Sequence, residues 1–473
     1  MRWACLLFPQ LALDGVQRRM AADDPPVMVV EGPAQRRVVH SVNAAARAQG
    51  MRPGLSLAAA QALGVSAVIA EHDPAEVERH RMLLASWAYR FSSQVSTDLP
   101  HAIVLEVAHS LRLFGPWPRF EARLRGELRE LGFRHRITVA PNPHAARVLA
   151  NVRDGLQADD GQLQRVLGEV PIERAGLPRS TAQTLARMGL RRLGQVFALP
   201  RDTITRRFPA EVLAHLDALR GQPAPLRLYR PPERFEARIE FEYEVESNQA
   251  LLFPLRRLTA DLAAFLAGRD GGVQRFVLVL EHERVPDSDV TVGLLAPERD
   301  AAMLFELARA RIEQARVPAA VRGMQLKAHD LPAFVPSATD LFDTRSQQAS
   351  TWLHVRERLR ARLGDEAVYG IGLCADHRPE RATDVSSRGA PEGGIELPAR
   401  PGWLLPQPQP LRGRRLHVIA GPERIESGWW DGFDVQRDYY LVETPEGQRA
   451  WAFIPRNGAD READTLWLHG WFA

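Results

Sequence analysis

A chain of 473 residues is too long for one ordinary domain, and 45% hydrophobic with 25% charged residues excludes wholesale disorder. Two cysteines, Cys5 and Cys374, exclude a disulfide framework and a cysteine zinc site, and no window carries the ~18–20 uninterrupted apolar residues that cross a bilayer. The net charge of +3 excludes a polycation, yet every basic residue except Lys327 is arginine, so any phosphate contact would be made by guanidinium forks.

The chain opens on the apolar run Trp3 to Leu13, broken by Pro9 and Gln10 and lacking a small-residue cleavage site. It is expected to be a first buried strand and not a signal peptide. Val27–Val30 and Arg37–Val42 read as strands, Ala44–Gln49 and Ser56–Leu63 as short helices around a Gly50-Met51-Arg52-Pro53-Gly54 turn. Helical spacing over Glu76–Tyr89 leads to a short strand at Ile103–Val107, a helix at Phe120–Leu131, a strand at Arg136–Ala140 and a helix at Pro143–Val152. Strands alternating with helices point to an α/β or α+β domain.

From about 160 to 230 the pattern turns helical and short. Leu177-Pro178-Arg179-Ser180, Ala182–Met188, Gly189 and Leu193–Ala198 read as a helix-hairpin-helix. Residues 170–230 hold eleven arginines against four acids, a local surplus of seven that marks a candidate phosphate-backbone binder. Next come Phe235–Val245 (strand), Leu251–Ala267 (helix), Val273–His282 (strand), Ala301–Gln314 (helix) and Gly323–Leu331 (strand), a split βαβ unit. Seven prolines make 376–413 a linker by composition, with Gln407-Pro408-Gln409-Pro410 extended. Six of ten tryptophans then fall within the last 71 residues, where Tyr439–Glu443, Gly447 and Arg449–Phe453 read as a β-hairpin. Small domains use tryptophan as core, so some of the six are expected to be core and a subset to face a partner. Fourteen histidines show no H-x-x-x-H or H-E-x-x-H spacing, and no metal or cofactor is assigned.

The order α/β domain, helix-hairpin-helix, split βαβ is distinctive, and residues 1–335 resemble the Y-family translesion DNA polymerases. Asn43-Ala44-Ala45-Ala46-Arg47-Ala48-Gln49-Gly50-Met51 is similar to the fingers motif, and Leu105-Glu106-Val107 with Leu113-Phe114-Gly115 to the end of the second palm motif. Val139-Ala140-Pro141-Asn142 with Ala146-Arg147 resembles G-I-A-x-N-K-x-x-A-K, and Gly189-Leu190-Arg191-Arg192-Leu193-Gly194-Gln195-Val196 the thumb's G-I-x-T-x-G-D-L. The resemblance implies an α+β multidomain chain: palm (1–16 and 75–160), fingers (17–74), helix-hairpin-helix thumb (161–230), little finger (231–335), a clamp-binding segment and helix (336–375), the Pro-rich linker (376–413) and a Trp-rich, β-containing carboxy-terminal region (414–473).

The departures matter more. Nucleotidyl transfer in this family uses two Mg²⁺, held by carboxylates of the first strand and of an Asp-Glu pair in the second motif. The first motif here places Leu6 and Phe8 where aspartates belong, and His101 and Ala102 occupy the Asp-Glu positions. The fingers tyrosine becomes Ala44, although Arg47, the former triphosphate-binding arginine, remains. No catalytic residue is therefore assigned. An inactive branch of the family, a subunit of a bacterial mutagenesis cassette, shares this losing pattern, and its carboxy-terminal region resembles Arg378–Ala382, Gly421–Trp430, Asp438-Tyr439-Tyr440 and Leu468–Phe472.

The implied function is a non-catalytic factor in damage-induced translesion synthesis. It would bind primer-template DNA with little sequence preference through Arg179, Arg187, Arg191, Arg192, Arg206 and Arg207. It would bind the sliding clamp through Asp340, Leu341 and Phe342, a partial match to Q-x-[S/D]-L-F. Trp429, Trp430, Trp451 and Trp471 would bind partners, implied to be an error-prone replicative-type polymerase subunit and the RecA-like ImuA. The rivals are an active polymerase whose displaced metal site uses Asp14, Asp98 or Glu106, and a plain DNA-binding repair protein. The expected place is the cytoplasm, at the nucleoid, with no membrane partner.

Overall fold

The computed structural model describes residues 1–20, 25–64, 66–335, 352–364, 366–374, 376–384, 399–411, 416–456 and 465–472. They form two compact units, Met1–Arg362 and Leu363–Ala473, and no described helix is long and apolar enough to cross a membrane.

Among the described residues of the first 140, seven strands occur: β1 (Trp3–Leu7), β2 (Val27–Glu31), β3 (Val38–Val42), β4 (Val68–Glu71), β5 (Val95–Ser96), β6 (Ala102–Glu106) and β7 (Arg136–Ala140). β1 runs antiparallel to both neighbours in a sheet of order β5-β6-β1-β7, and β3-β2-β4 makes a second, smaller sheet. The first strand is shorter than its apolar run. It stops at Leu7, and Leu11–Gln17 continues as a helix. Pro9 lacks the N–H a ladder needs, which ends the strand there.

Every β1 residue is buried, because helices cover both faces of its sheet. On one face Leu6, Ile103 and Leu105 pack with Trp87, Phe91, Phe120 and Leu124 of helices Pro74–Tyr89 and Trp117–Glu130 and their ends. On the other, Cys5, Leu7, Ala102 and Val104 pack with helix Pro143–Val152 and, beyond it, Leu163, Leu185, Leu193 and Leu216 of the arginine-rich helical segment. The Asn142 side chain accepts from the Ala145 N–H at 2.8 Å and Pro143 stands in the first turn, so that helix begins where the sequence places it.

The next four strands, β8 (Phe235–Val245), β9 (Val273–His282), β10 (Ser288–Glu298) and β11 (Val321–Asp330), form an antiparallel sheet of order β10-β9-β11-β8. Helices Leu252–Gly268 and Ala301–Gln314 cover one face. This layer sits on helix Pro74–Tyr89 so closely that a Cβ on Gly268 would lie 1.9 Å from the Ser86 carbonyl oxygen. The Arg18 guanidinium pairs with the buried Asp261 carboxylate, and its Nε donates to the Leu131 carbonyl at 2.7 Å.

The second unit holds β12 (Gly372–Leu373), β13 (Thr383–Asp384), β14 (Trp403–Pro410), β15 (His417–Ser427), β16 (Val435–Glu443), β17 (Arg449–Pro455) and β18 (Trp467–Trp471). The last five form one antiparallel sheet of order β14-β18-β17-β16-β15, with β16 and β17 as the expected hairpin. The expected linker is corrected here, since Trp403–Pro410 is a strand. It lies at the sheet edge, where a proline needs no ladder partner, and its pairing with β18 is irregular between Leu404 and Gln409, the stretch holding Pro406 and Pro408.

Candidate functional site

The degenerate metal positions meet at the start of the β1–β6 pairing. The register sets Leu6 against Ile103 and Leu7 against Ala102, and the Phe8 N–H donates to the His101 carbonyl at 2.8 Å. Side chains alternate faces along a strand, so Leu6 and Ala102 lie on opposite faces of the sheet. Leu7, not Leu6, shares a face with Ala102, and both are buried. His101 adopts φ +56°, the left-handed region, at the turn into β6. Desolvation, and then the nearby Arg147 and Arg81 guanidiniums, push its pKa below the ordinary value. Arg147 remains beside this corner, its Nε donating to the Pro100 carbonyl at 2.8 Å. Burial pushes the neighbouring Cys5 thiol up to about 12, so it stays protonated.

The three acids that a displaced metal site would need are separately engaged. Asp14 accepts from the Arg134 N–H at 3.0 Å. Asp98 accepts from the Arg227 N–H at 2.6 Å and from its Nε at 3.2 Å. Glu106 accepts from the N–H groups of Arg2, Ala108 and His109 and pairs with the His109 ring at 2.9 Å. Among the described residues no three His, Cys, Asp or Glu side chains are grouped to hold a metal ion.

The arginine-rich segment presents its cations outward. Arg179, Arg187, Arg191, Arg192, Arg206 and Arg207 are all exposed, as is Arg47. Helix Arg179–Arg187 follows Gly176, whose φ is +77°, and no side chain caps its first turn. The connection to helix Leu193–Phe197 is ordered by Gln195, whose Oε1 accepts from the Arg191 and Arg192 N–H groups at 2.8 and 3.0 Å. Arg192 is paired with Glu169, whereas Arg179, Arg187, Arg191 and Arg206 have no carboxylate partner among the described residues.

Asp340, Leu341 and Phe342 lie outside the described residues. The tryptophan expectation is corrected in part. Trp451 is core, stacked on Tyr439 at 3.9 Å with the Arg400 guanidinium 4.8 Å from its ring, and Trp471 is half-buried beside Ala450. Trp429 and Trp430 are exposed, and the sequence reading missed Phe433, exposed beside them. Arg378, which opens the Arg378–Ala382 stretch of the family resemblance, grips Asp376 and Asp431 below these rings. No local spacing announces a pair 53 residues apart in the chain.

The β5-β6-β1-β7 sheet, the helix-hairpin-helix and the split βαβ layer follow one another along the first unit. Residues 15–151 match the model of the impB/mucB/samB family. Protein ImuB of Caulobacter vibrioides is 27% identical over 466 residues, covering 89% of this chain and 100% of that protein. The chain is thus similar to ImuB over most of its length. Among solved structures, DinB from Sulfolobus solfataricus aligns at 14% identity and a TM-score of 0.41, over 71% of this chain and 100% of that one. An insertion ternary complex of Dbh DNA polymerase aligns with the same figures.

Proposed function

We propose that this chain is a non-catalytic translesion-synthesis factor that holds primer-template DNA and the sliding clamp and recruits an error-prone polymerase. The observation that carries the reading is the buried apolar pair Leu7–Ala102 at the metal corner. Two Mg²⁺ ions need hard oxygen ligands, and neither side chain offers one. On this reading the β5-β6-β1-β7 sheet is the palm, 17–74 the fingers, 161–230 the thumb and 231–335 the little finger.

DNA would lie along the thumb. Open first-turn amides and unpaired exposed arginines favour phosphate without reading bases, so binding carries little sequence preference. The little finger contributes less. The outward row of β8 holds Glu236, Glu240 and Glu244, and its Arg238 is committed to Glu281 at 2.7 Å. The clamp contact at Asp340-Leu341-Phe342 and recruitment of the polymerase and the RecA-like ImuA rest on the resemblance. Together such tethers multiply: several weak contacts give ~10²–10⁴ in avidity when the geometry permits.

The test is primer extension with Mg²⁺ or Mn²⁺. The expected result is no product under conditions where DNA is bound. Template-dependent extension abolished by Asp98→Ala or Glu106→Ala would overturn the reading in favour of an active polymerase with a displaced site.

A further inference from the structure

The turn that opens the helix-hairpin-helix is gripped at two successive carbonyls, and both grips come from helices outside the hairpin. Asn151, near the end of helix Pro143–Val152, donates from Nδ2 to the Arg174 carbonyl at 3.1 Å. His215, on helix Ala210–Leu219, stands with Nε2 2.8 Å from the Ala175 carbonyl. A carbonyl oxygen only accepts, so Nε2 carries the proton. Burial holds the His215 pKa below the ordinary value, which keeps the ring neutral in this tautomer at neutral pH. Gly176 follows at φ +77°, and a Cβ there would lie 3.3 Å from His215 Cε1 and 3.4 Å from Val148 Cγ2. The left-handed turn thus sits in a slot between the two helices.

The Asn151 amide is itself oriented. Its Oδ1 accepts from Arg147 Nη1, which leaves its Nδ2 for the Arg174 carbonyl. Arg147 Nε in turn donates to the Pro100 carbonyl at 2.8 Å, beside the Leu7–Ala102 corner. Arg174 returns the contact. Its Nη1 donates to the Asn151 and Val152 carbonyls at 3.2 and 2.9 Å, among the last carbonyls of helix Pro143–Val152, which have no partner within the helix. Hydrogen bonds therefore run without a break from Pro100 to Arg174. The turn then leads through Leu177 and Pro178 into helix Arg179–Arg187, whose two terminal arginines are exposed.

We propose that Asn151 and His215 are positioning residues for DNA: through their two carbonyl contacts they hold the Gly176 turn so that Arg179, Arg187 and Arg191 meet the phosphate backbone in one fixed arrangement. The inference rests on the DNA-holding reading above. Neither side chain makes the contact. Both are half-buried and engaged with other groups of the protein, whereas the three arginines are exposed. The grip has a binding consequence. A turn ordered before the encounter loses little freedom on binding, and a loosened one has to be ordered by the DNA. The charge count is a separate matter. A loosened hairpin still neutralises the same phosphates once bound, so affinity falls while its salt dependence stays. Deleting an arginine does both, because a phosphate is then left with its counterion.

The experiment titrates the full chain with a primer-template duplex from about 50 to 300 mM salt and reads both affinity and the slope of log K against log salt. His215→Ala and Asn151→Ala should each lose about five- to tenfold in affinity at every salt concentration while keeping the wild-type slope. His215→Gln, whose amide keeps a donor for the Ala175 carbonyl, should bind within about twofold of wild type. His215→Phe keeps the bulk of the ring without the donor and should behave as His215→Ala, so it carries the test if the alanine variant does not fold. If wild type binds the duplex and both alanine variants bind it equally well, this inference is overturned while DNA holding stands. If they lose affinity and slope together, by about 0.9 for each arginine released, the two residues only keep the helical segment folded and the inference is overturned. His215→Gln binding as weakly as His215→Ala overturns it too. If wild type does not bind the duplex, the DNA-holding reading falls, and the inference with it.

Discussion

Asp14 and Glu106 show how differently one fold treats two buried carboxylates. Glu106 is desolvated, yet hydrogen bonds from the His109 ring and from three backbone N–H groups outweigh that and hold its pKa below the ordinary value. Asp14 is lifted by burial from 3.8 to about 7, against the opposing pull of the Arg134 amide and the Arg134 and Arg18 charges. The sign for stability follows. A carboxyl group whose folded pKa is raised binds its proton more tightly in the native state, so stability is full below about 4 and declines as pH rises towards 7. Each unit of displacement is worth about 1.4 kcal/mol. Asp14→Asn should flatten the fall in stability between pH 4 and 7, leaving the variant more stable than wild type at pH 8. Urea unfolding at a series of pH values checks this, and parallel pH curves for the two proteins would refute it.

At the scale of elements, the arginine-rich helices are the place where charge becomes a measurable slope. Each phosphate neutralised on duplex DNA contributes about −0.9 to the dependence of log K on log salt. Arg179→Ala, Arg191→Ala and Arg206→Ala should each weaken binding to any duplex sequence and make the slope shallower by about 0.9. Arg192→Ala should change it less, because Glu169 already neutralises that guanidinium. Equilibrium titrations from 50 to 300 mM salt measure both quantities, and an unchanged slope in all three single variants would place DNA elsewhere. Several elements are legible in sequence because their ends are written locally. Asn142 and Pro143 start one helix, and β7 and β9 have the limits that their apolar runs suggest. The β14 strand is not legible, since its prolines are acceptable only at a sheet edge, and an edge exists only once β18 is in place.

Across the first unit as a whole, the split βαβ layer is fastened to the N-terminal sheet at several points. Gly268 meets the Ser86 carbonyl, Arg18 pairs with Asp261, the Tyr229 hydroxyl meets Ser86, and Asp98 holds Arg227 of the connecting segment. Asp98, a candidate metal ligand by sequence, is thus engaged by the segment that leads into the split βαβ layer. Breaking a buried ion pair from one side leaves an uncompensated charge, which costs about 3–5 kcal/mol, whereas replacing both partners by apolar groups is often near neutral. Arg18→Ala should therefore destabilise the chain by that order, and Arg18→Met with Asp261→Leu should recover most of the loss. Denaturant unfolding of wild type and the two variants decides it, and a double variant as unstable as the single one would show that the pair does not couple the layers.

The sequence alone determined several element positions, the absence of carboxylates from the expected ligand positions and the concentration of arginine between 170 and 230. These are properties of composition and local period, and they survive any arrangement of the layers. Tertiary structure decided the rest, because a face exists only when something packs on it. Strand register, with its period of two, chose Leu7 over Leu6 as the neighbour of Ala102. Packing of β17 buried Trp451 on Tyr439, while the turn after β15 left Trp429, Trp430 and Phe433 in solvent, and both outcomes draw on the same residue types. An ion pair such as Arg378–Asp431 joins groups 53 positions apart, and only the folded chain brings that guanidinium under the aromatic turn.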